Sequence, residues 1–375
     1  MILLSSLTNL QTSGALWPWV IFIVFVLAML ALDLGVFHRH SHVVGFREAL
    51  GWSGLWITLG LAFAWLVHAA YSGHWFGLGG AVDVVDGQVN DGRRAAIKYL
   101  TAYVVEKSLS VDNIFVIAMI FSSLAVPARY QHRVLFWGVL GALVMRGAMI
   151  GMGAVLVHRF HWILYIFGAF LILTGLKMLF FREHTVEPTE HRVVRWMRRL
   201  FPVTRNYHGQ RFAVKAGSPE ASAPAEPGLA ARPDPVVDAA AAGKWLLTPL
   251  AVALVLVELT DVVFAVDSIP AVFAITADPF LVFTSNVFAI LGLRSLYFAL
   301  AGLIEKFRYL KPALSIVLVL VGLKMLGGKW LKEWLGESFN LAVLLVILVV
   351  LATGVVTSLV VGVREARRAA TDAGG

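Results

Sequence analysis

Residues 258–270 read ELTDVVFAVDSIP, and they lie inside an apolar run, 246–275, long enough to cross a bilayer. Residues 106–114, EKSLSVDNI, repeat the arrangement inside a second run, 97–124. In each, two carboxylates stand six positions apart, Glu106 with Asp112 and Asp261 with Asp267. A charged side chain at the centre of a membrane helix costs roughly 2.5–3.5 kcal/mol even on insertion scales. Four at matched spacing mark these two runs as the working part of a membrane protein.

The rest of the chain agrees. It is 59% apolar and only 14% charged over 375 residues, too few charges to solvate the surface of a soluble protein. Runs of the length a helix needs to cross the hydrocarbon recur at 16–37, 52–75, 97–124, 134–157, 161–181, 246–275, 280–304, 311–328 and 341–362, about nine in all. The fold class expected is therefore an all-α polytopic membrane protein. The first run lacks the basic leader and short apolar stretch of a cleaved signal and is expected to stay.

Lys and Arg set the orientation. With the N-terminus outside, the inner segments collect Arg39, Arg47, Arg129, Arg133, the many cations of 182–244, Lys306, Arg308, Lys311, Arg364, Arg367 and Arg368. The outer segments keep Arg93, Arg94, Arg159, Lys329 and Lys332, and the outer loop before the third span gathers Asp83, Asp86 and Asp91. An N-outside, C-inside topology follows from that bias. The net charge of +8 then reads as topology signal and contact with anionic lipid, which argues against nucleic-acid binding. The chain has no cysteine, so thiolate metal sites, iron–sulfur clusters and disulfides are excluded.

The likeness of the two acidic runs extends beyond them. VDNI (111–114) matches VDSI (266–269), Arg146 matches Arg294 one span later, and GLKML recurs at 175–179 and 322–326. Each unit holds three spans, so the copies are expected to lie inverted in the membrane, a plan that places a transport site near the midplane between them. The chain accordingly divides into 1–96 (two helices and the acidic outer loop), 97–181 (first repeat), 182–244 (inner segment), 245–328 (second repeat) and 329–375 (last helix and tail). Within the inner segment, 188–201 predicts a basic amphipathic helix on the lipid surface, and Ala/Pro/Gly-rich 216–243 a flexible linker.

On a helix, Glu106, Ser110 and Asn113 share one stripe, as do Asp261 and Ser268 in the second copy. Asp112 and Asp267 lie about 120° from their partners. Either each faces a different neighbour or the helix opens. Pro270 favours opening, because it leaves the Val266 carbonyl without its donor. Glu258 adds a carboxylate one turn before Asp261. Lys107, Arg146 and Arg294 are the buried cations available to pair with these acids, with the two arginines read as locks. The acids outnumber the cations, and the surplus calls for a proton or a metal. Carboxylate, amide, hydroxyl and carbonyl oxygens are hard donors suited to Mn²⁺, Mg²⁺ or Ca²⁺. No nucleophile, phosphate loop or paired-histidine motif lies on any span, so no enzymatic activity is expected.

Several of these stretches resemble the TerC membrane-protein family: LDLGVFHR (32–39), EKSLSVDN (106–113), YQHRVLFWG (130–138), ELTDVVFAVDSIP (258–270) and TSNVFAILGLR (284–294). The resemblance covers about 30–327. It implies a bacterial inner-membrane protein related to LysE-type transporters and linked to Mn²⁺ export and, in some members, tellurium resistance. It places the ion path on Glu106, Asp112, Asp261 and Asp267, with Asn113 and Ser268 beside them. Ser110, Glu258, Asn286, Arg146 and Arg294 are expected as accessory residues.

The function expected is a secondary exporter of a divalent cation, foremost Mn²⁺, with no permanently bound cofactor and with proton antiport as a coupling that the surplus of acids suggests. The alternative is a membrane scaffold or insertion factor that docks other membrane proteins through 182–244, with tellurium or stress resistance as phenotype. Asp33 either joins the site or caps the inner end of the first helix.

Overall fold

The computed structural model describes residues 16–35, 45–180, 197, 201–221, 233–300, 309–335 and 338–372, without the side chains of 33–35, 328–335 and 363–372. The Asp33 side chain, most of the expected amphipathic segment 188–201 and the basic C-terminal side chains thus lie outside the described residues.

The chain runs α1 (Trp17–Gly35), α2 (Phe46–Ser72), a 3-10 turn (Trp75–Gly77), α3 (Gly92–Ser123), α4 (Ala128–Arg159), α5 (Ile163–Phe180), β1 (Ala213–Lys215), the short α6 (Pro235–Asp238), β2 (Trp245–Leu247), α7 (Pro249–Phe273), α8 (Pro279–Leu291), α9 (Leu293–Leu300), α10 (Leu310–Leu335) and α11 (Phe339–Asp372). It is an all-α polytopic membrane protein apart from the two-stranded hairpin. Among the described residues, seven stretches are long and apolar enough to span a bilayer: α2, α4, α5, α7, α8 with α9, α10 and α11. Sequence reading expected about nine. The described apolar part of α1 stops at Leu32, and α3 misses the criterion because Glu106, Lys107 and Asp112 interrupt it.

Helices are the form this composition demands, because a backbone in hydrocarbon must satisfy its own polar groups. Their starts follow local chemistry. The Asp91 carboxylate accepts from the Arg94 N–H to begin α3. Asp278 caps α8, and Pro249 and Pro279 occupy first-turn positions where no donor is needed. Large apolar side chains stay exposed around the outside, with Trp65, Val144, Leu173 and Phe180 each at least two-thirds exposed, as a lipid-facing belt requires.

α3 is the central helix, packed against α2, α7, α8 and α11. The seventh expected span, 280–304, is not one helix: it breaks at Gly292 between α8 and α9. The break leaves the Ala289 carbonyl to accept from the Lys107 ammonium at 3.0 Å. Lys107 therefore satisfies a helix end rather than an acid.

α5 and α10 make the tightest pairing, and glycine explains it. A Cβ at Gly175 would stand 2.7 Å from the Ser315 carbonyl oxygen and 3.1 Å from the Val319 nitrogen. A Cβ at Gly322 would stand 2.7 Å from the Gly168 carbonyl oxygen and 3.1 Å from the Ile172 nitrogen. The two contacts are reciprocal, seven and three residues upstream of the partner glycine in each helix, so α5 and α10 cross antiparallel, backbone against backbone. These glycines open the two GLKML motifs.

The segment expected as a flexible linker has local structure where it is described. β1 pairs antiparallel with β2, and Asp234 accepts from the backbone N–H groups of Arg205, Asn206 and Val236. The Tyr207 hydroxyl reaches the Leu124 carbonyl at the end of α3. One buried carboxylate and a three-residue strand pair hold 201–221 against 233–248, and residues 222–232 of the expected linker lie outside the described residues.

Candidate functional site

The four acids on α3 and α7 divide into two pairs. Glu106 and Asp261 turn to Arg146 of α4. The guanidinium pairs with the Glu106 carboxylate and grips Asp261 at two points, Nη2 to Oδ1 at 3.0 Å and Nε to Oδ2 at 3.2 Å. It also donates to the Ser268 hydroxyl at 3.2 Å and the Asn286 amide oxygen at 3.1 Å. Arg146 is 2% exposed, and Glu106 is wholly buried. A planar fork of five donors suits this set better than an ammonium would.

Asp112 and Asp267 face elsewhere. They line a cavity of about 680 Å³ between α3, α5, α7 and α10, whose lining also includes Asn113 and Ser268. Lys177 and Lys311 line it too, within a turn of the ends of α5 and α10. Phe115, Phe170 and Phe264 make up much of the apolar wall. A second, small cavity of about 20 Å³ is lined by both Asn113 and Asp261.

Of the six expected ligands, then, Glu106, Asp261 and Ser268 gather on Arg146, whereas Asp112, Asp267 and Asn113 line the large cavity, which Ser268 borders as well. Among the described residues no three acidic or histidine side chains converge as a metal cage. The reason is the 120° between the acids of each pair: α3 and α7 both remain helical throughout, α7 continuing past Pro270 to Phe273. The expected opening of the helix at Pro270 does not occur, and each acid faces a different neighbour instead.

The accessory residues separate likewise. Asn286 joins Arg146. Ser110, on the Glu106 stripe, is buried with no hydrogen-bond partner for its hydroxyl among the described residues, and the second oxygen of Glu106 shares that condition. Glu258, half-buried, places its carboxylate in the space that Gly141 of α4 leaves by lacking a Cβ. Arg294 is buried on α9, outside the group held by Arg146.

The family model described as "Integral membrane protein TerC family" matches residues 91–366, most of the chain. The chain belongs to the TerC family. Among TerC relatives it is 49% identical over 307 residues to "Uncharacterized membrane protein STKORF319" of Myxococcus xanthus, covering 82% of each chain. It is 43% identical over 318 residues to a protein of Escherichia coli K12 named "Putative membrane-bound redox modulator Alx", covering 84% of this chain and 88% of that one. A membrane protein of Rickettsia felis is 36% identical over 307 residues, 82% of this chain and 87% of its own. No solved structure matches.

In this TerC chain, sequence reading missed a second buried polar group, at the end of the bundle that carries residues 73–91. The Lys98 ammonium, fully buried, donates to Asp83 at 2.9 Å, Asp86 at 3.0 Å and Asn90 at 2.8 Å. Asp83 also accepts from the Thr276 hydroxyl and the Ala277 N–H in the α7–α8 turn. Asp86 accepts from Asn340 of α11. Asp278 accepts from the Tyr71 hydroxyl and the Asn90 amide. Burial opposes ionisation of Asp83, but Lys98 and Thr276 outweigh it and hold its carboxyl below the ordinary range, whereas burial pushes Asp278 up. The signal was present in the acids of the 73–91 loop followed by Lys98. Reading them as loop charge overlooked that buried Lys98 fastens Asp83 and Asp86 to α3, while Thr276, Ala277 and Asn340 tie the same acids to the α7–α8 turn and α11.

Proposed function

We propose that the chain is a secondary transporter exporting a divalent metal cation across a bacterial inner membrane, with Mn²⁺ the first candidate substrate. The observation that carries this reading is the 680 Å³ cavity, reaching from the ends of α5 and α10 to two carboxylates on membrane helices. Asp112, Asp267, Asn113 and Ser268 offer hard oxygen donors in its lining, the set a Mn²⁺-, Mg²⁺- or Ca²⁺-sized ion prefers. Lys177 and Lys311 line the same cavity near the helix ends.

Two inverted three-helix repeats within nine spans are the architecture of this proposal. The reciprocal α5–α10 crossing at Gly175 and Gly322 supports a pseudo-two-fold axis there. Under that axis the counterpart of the cavity lies at the opposite end of the bundle, where Val84 and Val85 pack into the core and Lys98 binds Asp83 and Asp86. The molecule thus reads as open from the end that carries the hairpin and closed at the other. With the N-terminus outside, the open end faces the cytoplasm, as uptake of an ion for export requires. Proton antiport is the coupling proposed, and the name of the Escherichia coli relative points to a different activity, redox modulation. A chain without cysteine has no thiol with which to perform it.

The test is Mn²⁺ flux into or out of proteoliposomes, for the parent and for folded Asp112→Asn and Asp267→Asn variants. Flux in the parent that both variants lose supports the reading. Flux equal to that of empty vesicles, or unchanged in both variants, rejects it and favours a scaffold that docks partners through 182–244.

A further inference from the structure

Arg146 occupies the place where a cation would be expected between Glu106 and Asp261. Its guanidinium meets four groups from three other helices: Glu106 of α3, Asp261 and Ser268 of α7, and Asn286 of α8. A purely structural lock would match its charges and satisfy its polar atoms, since a half-satisfied buried network is less stable than an apolar one. This group does neither. Two carboxylates face one guanidinium, and the second Glu106 oxygen and the Ser110 hydroxyl are buried without a hydrogen-bond partner among the described residues.

The group is also next to the cavity. Ser268, which accepts from Arg146, lines the large cavity, and Asn113 lines both the large cavity and the small one that Asp261 borders. An ion at Asp112 and Asp267 therefore shares Ser268 and Asn113 as neighbours with the group around Arg146 and Asp261. Arginine has the length to withdraw, and its bonds to Ser268 and Asn286 are bonds to neutral groups, weaker than those to the acids.

We propose that Arg146 is a tethered cation that holds the central site when no ion is there, and that the transported ion and the guanidinium compete for Glu106 and Asp261. The inference rests on the cation-transport reading and adds to it a device for release. The guanidinium returns to the carboxylates as the ion leaves, so the negative site is never left uncompensated in the membrane. Arg146 is then a positioning residue whose loss strengthens ion binding while stopping turnover.

The experiment is Mn²⁺ binding to purified protein in detergent, by titration calorimetry, for the parent, Arg146→Gln, Arg146→Lys and Arg146→Gln with Asp261→Asn. Removing a unit positive charge a few ångströms from the site is expected to tighten binding by at least about tenfold, or to add a second equivalent of bound ion. Arg146→Lys, which cannot grip Asp261 at two points, is expected to gain less, and it serves where the glutamine variant does not fold. The Asp261→Asn companion is expected to abolish the gain. Folded Arg146 variants that bind no more tightly than the parent overturn the proposal, as does a gain that survives Asp261→Asn. Failure of the transport reading is distinct: parent binding would be absent or indifferent to Asp112→Asn and Asp267→Asn, while the effect of Arg146→Gln is still read directly.

Discussion

Replacing Lys98 with methionine should be among the most damaging single changes to this molecule. The Lys98 ammonium makes three hydrogen bonds of 2.8–3.0 Å, two of them to carboxylates, and the side chains of Lys98, Asp83 and Asp86 are 0%, 0% and 2% exposed. Methionine fills a similar volume, so packing changes little. What is lost is the hydrogen-bonded countercharge to two buried carboxylates, with buried Lys324 left as the other cation acting on them, and breaking a buried ion pair from one side costs about 3–5 kcal/mol. The cost is mostly the penalty of the orphaned acids. Neutralising all three positions together, Lys98→Met with Asp83→Asn and Asp86→Asn, should therefore recover most of the loss and return to within about 2 kcal/mol of the parent. The unfolding free energy can be followed in mixed micelles of increasing SDS content by the fluorescence of the 12 tryptophans. A single variant costing less than about 1 kcal/mol, or a triple variant whose loss is the sum of the three single losses, would refute the assignment of Lys98 as the tie that closes this end.

Gly322→Ala should destabilise by roughly 1–3 kcal/mol, because its Cβ would stand 2.7 Å from the Gly168 carbonyl oxygen and the backbone there has no room to yield; Gly327→Ala, with nothing within 4 Å, is the control in the same assay. Asp83 and Asp278 should respond oppositely to pH. The Asp83 carboxyl is held below its ordinary range, so its contribution is complete above about pH 4 and is lost as pH falls through the lowered value. The stability gap between parent and Asp83→Asn should accordingly be constant from pH 7 to 5 and close in acid. Asp278 is raised, so the parent loses stability as pH rises from about 4 toward that raised value. Asp278→Asn should remove this loss and still cap α8, since asparagine accepts from the Phe280 and Leu281 N–H groups as aspartate does. A parallel response of the two variants in a pH series of unfolding curves would contradict the assignment.

Composition and periodicity by themselves determined that this is a helical membrane protein, because a backbone in hydrocarbon has few other choices and apolar runs of span length are visible without knowing what they touch. The paired acids and the two GLKML motifs were equally legible, and Gly175 and Gly322 proved to be the points where α5 and α10 meet backbone to backbone. The 120° between Glu106 and Asp112 was fixed by helix geometry as well. What the sequence left undecided was which neighbour each acid would face, and whether Pro270 would open α7. Those outcomes depend on packing between helices far apart in the chain. Only the tertiary structure brings Arg146 within reach of Asp261, 115 residues away, and Lys98 among the acids of the loop that precedes it. A helix period states which residues share a face, but the partner of a buried charge is chosen by whichever helix is packed against that face.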